Sequence, residues 1–205
     1  MNNMSSDFRM LPDMLQYRPK GIRALFIADT HGFVSEPVQE ALGKDYDIVV
    51  FLGDHGGELE DMVYLAGQHP CYGLLGNHDE KDLYNYHRKI KHIGNRVTDI
   101  QGIKVAAFDG GPRYSESVRR CQYTQEEVEK LALTMPAADI CISHSNPYNE
   151  ASLDMAHRGF KGISTYLEEF SIPLHIYGHM HTASETVLPW KTKSICVFPY
   201  AIIEI

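Results

Sequence analysis

Short apolar runs in this chain stop abruptly at clusters of aspartate, asparagine and histidine, and they do so five times. Residues 22–28 run into Asp29-Thr30-His31, and residues 48–52 into Gly53-Asp54-His55. Residues 71–75 lead to Gly76-Asn77-His78-Asp79, residues 140–142 to Ser143-His144, and residues 174–177 to Gly178-His179-Met180-His181. A run of three to seven mostly apolar residues bounded by Gly, Asp or Pro reads as a buried strand, and residues 105–108 add a sixth. Between the strands lie segments with apolar residues three and four apart: Leu59/Met62/Val63/Ala66, Leu83/Tyr86/Ile90, Val128/Leu131/Ala132/Met135 and Ile163/Tyr166/Leu167/Phe170. That spacing lays one apolar stripe of a helix on a sheet. Thr124 and Glu127 form a capping box for the third helix. Residues 194–205 are rich in β-branched and aromatic side chains and read as closing strands, broken at Pro199. The pattern is that of an α/β domain.

Composition excludes several classes. At 205 residues and 43% apolar content the chain can build one well-buried core, and it lacks the bias of disordered, collagenous or coiled-coil sequences. Nineteen Lys and Arg against 27 Asp and Glu leave a net charge of −8. An acidic surface disfavours a membrane surface or extended nucleic acid as partner. Cys71, Cys121, Cys141 and Cys196 show no CxxC spacing and read as reduced, buried thiols. No apolar run reaches the ~18 residues of a membrane span. The first twenty residues carry Asp7, Arg9, Asp13, Arg18 and Lys20 and do not read as a signal peptide. The expected location is the cytoplasm. The expected organisation is a tail over residues 1–20, holding Met1, Met4, Met10 and Met14, and one domain over residues 21–205.

In an open α/β sheet the carboxyl ends of the strands converge on one crevice. Five such ends would gather Asp29, His31, Asp54, Asn77, His144, His179 and His181, a set no ordinary core accommodates. Imidazole nitrogen with carboxylate or carboxamide oxygen, and no thiolate, suits first-row divalent ions: manganese above all, or iron or zinc. Seven candidates exceed what one ion with an open position needs and suit two ions sharing a carboxylate. Two carboxylates (−2) and two divalent ions (+4) leave about +2, enough to attract a phosphate into an otherwise acidic protein.

Asp-x-His, Gly-Asp, Gly-Asn-His-Asp, a later His and Gly-His-x-His, in that order, resemble the calcineurin-like metallophosphoesterase superfamily across residues 29 to 181. The resemblance implies a four-layer α/β/β/α sandwich, two mixed β-sheets flanked by helices. It implies one ion on Asp29, His31 and His181, a second on Asn77, His144 and His179, and Asp54 bridging them. It further implies hydrolysis by a hydroxide held between the ions, with His78 protonating the leaving group and Asp79 orienting His78. The protein phosphatases of the superfamily carry Gly-Asp-x-x-Asp-Arg-Gly, whereas here the segment is Gly53-Asp54-His55-Gly56-Gly57-Glu58. The chain is more similar to the small single-domain phosphodiesterases, including the class III cyclic-nucleotide branch, through His157-Arg158-Gly159, the helix that follows and residues 175–179.

The expected substrate is therefore a small phosphodiester, with monoesters a lesser one. A nuclease on short nucleic acids is the alternative, and a non-catalytic interaction scaffold of the same fold a weaker one. A homo-oligomer is compatible with all of these. Arg113, in the glycine-rich segment after residue 108, is a candidate fork for a phosphate. His55 and His157 are weighed as substrate contacts, while His69, His87, His92 and His175 read as surface or satisfied groups.

Overall fold

The structure is a computed structural model, described for residues 20–205, so the expected tail lies outside the described residues except at Lys20. The described residues open with β1 (Arg23–Ile27), α1 (Glu36–Leu42), β2 (Ile48–Phe51), α2 (Leu59–Leu65) and β3 (Cys71–Gly73). It continues through α3 (Leu83–Tyr86), β4 (Ile90–His92), β5 (Arg96–Ile100), β6 (Ile103–Phe108), β7 (Gly111–Pro112) and β8 (Gln122–Tyr123). The remainder is α4 (Gln125–Thr134), β9 (Ile140–Ser143), α5 (Lys161–Glu169), β10 (Leu174–Tyr177), β11 (Ser184–Val187), β12 (Lys193–Cys196) and β13 (Tyr200–Glu204). Two large sheets result, ordered β13-β1-β2-β3-β4 and β11-β12-β10-β9-β6-β5, with β7 and β8 forming a small ribbon.

Alternation along the strands makes the four layers. In β1, Ala24 and Phe26 face the second sheet while Leu25 and Ile27 face the helices, as a period of two requires. The inter-sheet core joins Phe26, Val50 and Leu52 to Val105, Ala107, Ile142 and Ile176. Val38, Ala41, Leu59 and Met62 from α1 and α2 cover the outer face of the first sheet. Val128, Ala132, Ile163 and Tyr166 from α4 and α5 cover that of the second. Strands β1 to β4 run parallel, and so do β6, β9, β10 and β12. Their carboxyl ends therefore share one edge. The capping box forms as expected: Glu127 N donates to Thr124 Oγ1 at 3.2 Å and Thr124 N to Glu127 Oε2 at 2.7 Å. All four cysteines are free and buried.

Two expectations change. The helix expected over Leu83/Tyr86/Ile90 ends after Tyr86, and Ile90 instead begins β4, paired with Cys71 of β3. Three apolar residues cannot distinguish a continuing helix from a strand whose ladder lies far away in sequence. Helix α1 and strand β5 were not anticipated; α1 carries Val38, Ala41 and Leu42 on one stripe, and β5 is a half-exposed edge.

His175 is satisfied, as expected, but fully buried. Its ring nitrogens meet Ser143 Oγ at 2.7 Å and Ser194 Oγ at 2.9 Å. Burial pushes its pKa down to about 3, below the ordinary 6.5. Between those values the unfolded chain binds more protons than the folded one, so this contribution is full above about pH 6.5 and is lost as the pH falls toward 3. The Tm of His175→Gln, followed from pH 7 to pH 5, is expected to fall less steeply than that of the parent; parallel curves would exclude His175 as a source of acid lability.

Candidate metal centre

Each proposed ligand sits just beyond a strand end. Asp29 and His31 follow β1, Asp54 follows β2 and Asn77 follows β3 on the first sheet; His144 follows β9, and His179 and His181 follow β10 on the second. Backbone bonds lock the loops together: Asp29 N to Gly53 O at 3.1 Å, His31 N to Asp54 O at 2.9 Å, and Gly178 N to His144 O at 3.1 Å. Across the sheets, His179 N donates to Asp29 Oδ2 at 2.7 Å and His144 Nδ1 to Leu52 O at 2.8 Å. Gly178 permits this approach, since a Cβ there would lie 2.9 Å from Asp29 Oδ2.

The backbone at the site is unusual. Asp29, His31, Asp54, His179 and His181 all have φ between 47° and 69°, five of the nine non-glycine residues in the left-handed region among those described. Each such residue costs on the order of 1 kcal/mol and persists only where the surroundings hold it. The turns reverse direction within one or two residues and aim side chains back across the strand ends.

Two groups of donors result. Asp29, His31 and His181 offer ligand atoms within 4.8 Å of one another, and so do Asp54, His144 and His179. Asn77 joins the second group, with Oδ1 2.9 Å from His144 Nε2. His31 Nε2 and His181 Nε2 face each other at 3.0 Å, two nitrogens suited to share a cation. Asp29 Oδ1 and Asp54 Oδ2 are two of the four buried side-chain polar atoms without a partner among the described residues. A buried carboxylate oxygen left bare is costly unless a cation completes it. The donor set fits divalent metal.

Hydrogen bonds also decide which ring nitrogens stay free to face the centre. His144 donates through Nδ1, which leaves Nε2 toward Asp54 Oδ2 at 3.4 Å. His179 donates through Nε2 to Ala156 O at 2.8 Å, which leaves Nδ1. Such outer bonds fix tautomer and orientation in metal-binding histidines. Burial pushes the His179 pKa down to about 4, so the ring is neutral. Burial also works against a charged His144, but the Asp54 carboxylate outweighs it and holds that imidazole up at about 9. Burial acts to raise the Asp54 pKa, but His144 and His78 outweigh it and hold that carboxyl well below the usual carboxylate range. The pocket thus demands positive charge.

His78 lies beside this centre, its ring 5.4 Å from that of His31 and its Nε2 3.5 Å from Tyr114 Oη. The expected bond from Asp79 to the His78 ring is replaced by another arrangement. Asp79 Oδ2 accepts from Asp54 N and from Gly76 N, both at 2.8 Å, so it braces the loops that carry Asp54 and Asn77. Backbone N–H groups buried at tight turns need an acceptor, and Asp79 is within reach. Arg113 likewise departs from its expected role: its Nη2 is bound to Glu127 at 3.1 Å and to Gln122 O at 3.3 Å.

Sequence reading missed Arg120. It donates from Nη1 to His78 O and lines one cavity of about 230 Å³ with His31, Asp54 and His78. It missed Tyr114, whose hydroxyl accepts from Asn77 Nδ2 at 3.2 Å. Neither carries a local signal, because each reaches the centre through a long loop. His55 is fully buried and is no substrate contact; it accepts from Gly53 N at 3.3 Å and meets Thr30 Oγ1 at 3.0 Å, joining the first two loops. His157 packs its ring 4.8 Å from His179 and pairs with Asp154 at 2.5 Å.

Comparison with known proteins places this geometry. A family model described as calcineurin-like phosphoesterase matches residues 22–183. An uncharacterised Haemophilus influenzae protein is 22% identical, with 83% of this chain and 89% of that protein covered. Among solved structures, a dimetal phosphatase from Danio rerio is similar at TM-score 0.58 and 14% identity, covering 87% of each chain. The phosphopantetheinyl hydrolase of Mycobacterium tuberculosis is similar at TM-score 0.58 and 13% identity, covering 85% of this chain and 89% of that one. The last two likenesses concern the fold alone. With most of its length matched by the family model and the donor groups at its strand ends, this chain belongs to the calcineurin-like phosphoesterase family.

Proposed function

We propose that the chain is a two-metal phosphodiesterase acting on small phosphodiesters, with manganese as its preferred ion. The observation that carries this reading is the pair of donor groups in which Asp29 Oδ1 and Asp54 Oδ2 are buried without a hydrogen-bond partner. Asp29, His31 and His181 would hold one ion, Asn77, His144 and His179 the other, and Asp54 both. Bound there, the ions would supply Lewis-acid charge and a water acidic enough to react near neutral pH.

The chain's own residues do the rest. Asp54 Oδ1 accepts from His78 N at 2.7 Å, which ties the position of His78 to the carboxylate between the donor groups. His78, solvent-exposed at the edge of the centre, donates a proton to the departing oxygen. Asp79 is a positioning residue, since it touches backbone rather than the reacting atoms. Arg120, anchored at one nitrogen, offers its guanidinium to a phosphate oxygen, a role first assigned here to Arg113. The missing Asp-Arg-Gly element removes a clamp suited to a monoester dianion and favours the diester monoanion. No helix among the described residues is long and apolar enough to cross a membrane, and four reduced cysteines fit a cytoplasmic setting.

The test compares bis-p-nitrophenyl phosphate with p-nitrophenyl phosphate in manganese and in chelator. The diester is expected to turn over faster, and chelator to abolish both activities. A monoester rate about tenfold above the diester rate would reverse the substrate assignment. Arg120→Met is expected to raise KM for the diester about tenfold, in line with loss of a charge-assisted hydrogen bond. An unchanged KM would remove Arg120 from substrate binding.

A further inference from the structure

A second cavity, of about 550 Å³, adjoins the metal centre and has a different chemistry. Its walls include Arg158 and Lys161, with Arg113 already paired to Glu127, against one acidic lining residue, Glu116. In a chain of net charge −8 this is a local reversal of sign. Aromatic faces accompany the cations: Tyr114 and Tyr148 line the same space, and Lys161 Nζ lies 5.1 Å above the Tyr148 ring. The volume falls within the range of small-molecule sites.

Tyr114 connects this cavity to the reaction. Its side chain lines the cavity, while its hydroxyl meets Asn77 Nδ2 at 3.2 Å and His78 Nε2 at 3.5 Å. A group occupying the cavity would thus lie on the His78 side of the scissile phosphorus. An acid must stand beside the oxygen it protonates, so that side belongs to the leaving group. Arg158 and the Tyr148 backbone are held in place. Arg158 donates from Nε and Nη2 to Ser152 O at 3.3 and 3.0 Å, and Tyr148 N donates to Ser164 Oγ of α5 at 2.9 Å.

We propose that this cavity is the leaving-group subsite and that it takes a nucleoside phosphate. The inference rests on the phosphodiesterase reading above and narrows it to diesters or anhydrides whose departing half carries its own phosphate and a planar base. Arg158 and Lys161 meet that phosphate, and the tyrosine faces stack on the base, as aromatic side chains do with nucleobases. In the reaction, water oxygen bonds to phosphorus and the P–O bond to the nucleoside phosphate breaks. The departing oxygen takes the proton from His78, and the proton released by water restores it.

Calorimetric titration of the manganese-loaded protein with adenosine 5′-monophosphate, adenosine and inorganic phosphate tests the subsite without turnover. The nucleotide is expected to bind about tenfold tighter than either fragment. Lys161→Glu and Arg158→Met are expected to weaken nucleotide binding about tenfold and phosphate binding less than twofold. Lys161 is solvent-exposed, so its replacement remains informative should the loss of the Ser152 bonds unfold the Arg158 variant. Nucleotide binding no tighter than phosphate, or equal weakening of both ligands, would overturn the subsite by placing the nucleotide on the metals alone. Hydrolysis of bis-p-nitrophenyl phosphate by the parent protein, measured in parallel, separates the two ideas. Its absence with a nucleotide bound would overturn the phosphodiesterase reading and leave the binding site standing.

Discussion

Asp54→Asn is expected to lower turnover on the order of 10³-fold and to reduce bound manganese from about two ions per chain toward one. The substitution removes one negative charge from the place where the two donor groups meet and changes little else. Asparagine tolerates the left-handed backbone found here, φ 58°, and its carbonyl oxygen can still accept from His78 N. The fold should therefore survive. What is lost is the carboxylate whose Oδ2 has no hydrogen-bond partner and lies 3.4 Å from His144 Nε2. Metal analysis of purified variant and parent, beside rates on a diester, reads both consequences. A parent that saturates at one ion, with the variant binding as much, would sink the bridging assignment.

His78→Gln is expected to separate metal binding from proton delivery. His78 belongs to neither donor group, so the variant should retain its metal while turnover falls by about 10²–10⁴-fold. The loss must depend on the leaving group. A nitrophenolate departs almost unaided and should suffer least, whereas an alkoxide needs the proton and should suffer most. Because Asp79 bonds to backbone rather than to the His78 ring, Asp79→Asn should act differently, loosening the Asp54 and Gly76 turns and lowering metal affinity. Equal losses on both substrates in the His78 variant, with metal retained, would remove His78 from the acid role.

Much of this was legible in the residues themselves. The six apolar runs became strands because a short β-branched, apolar stretch bounded by Gly, Asp or Pro has few other ways to bury itself. The proposed ligands were recognisable because charge and imidazole placed directly after such a run need an outside partner. Thr124 and Glu127 announced their helix because a capping box is satisfied within four residues. These are local relations, complete within a turn or a strand.

Other features depended on partners far apart in sequence. Ile90 joined a strand rather than a helix because Cys71 offered it a ladder. Strand β12 entered the second sheet between β11 and β10, while β13 crossed to the first sheet beside β1. Arg120 reached His78 from 42 residues away, Tyr114 reached Asn77 from 37, and Glu127 occupied Arg113, for which the sequence had suggested a phosphate. The left-handed turns at Asp29, His31, Asp54, His179 and His181 hold because backbone bonds from neighbouring loops and the facing sheet clamp them. Residue identity and local periodicity determined which groups this protein brings to its strand ends. Packing of two sheets against each other decided where those groups point, since long-range backbone pairing and close packing set side-chain direction, and neither is encoded within a single segment.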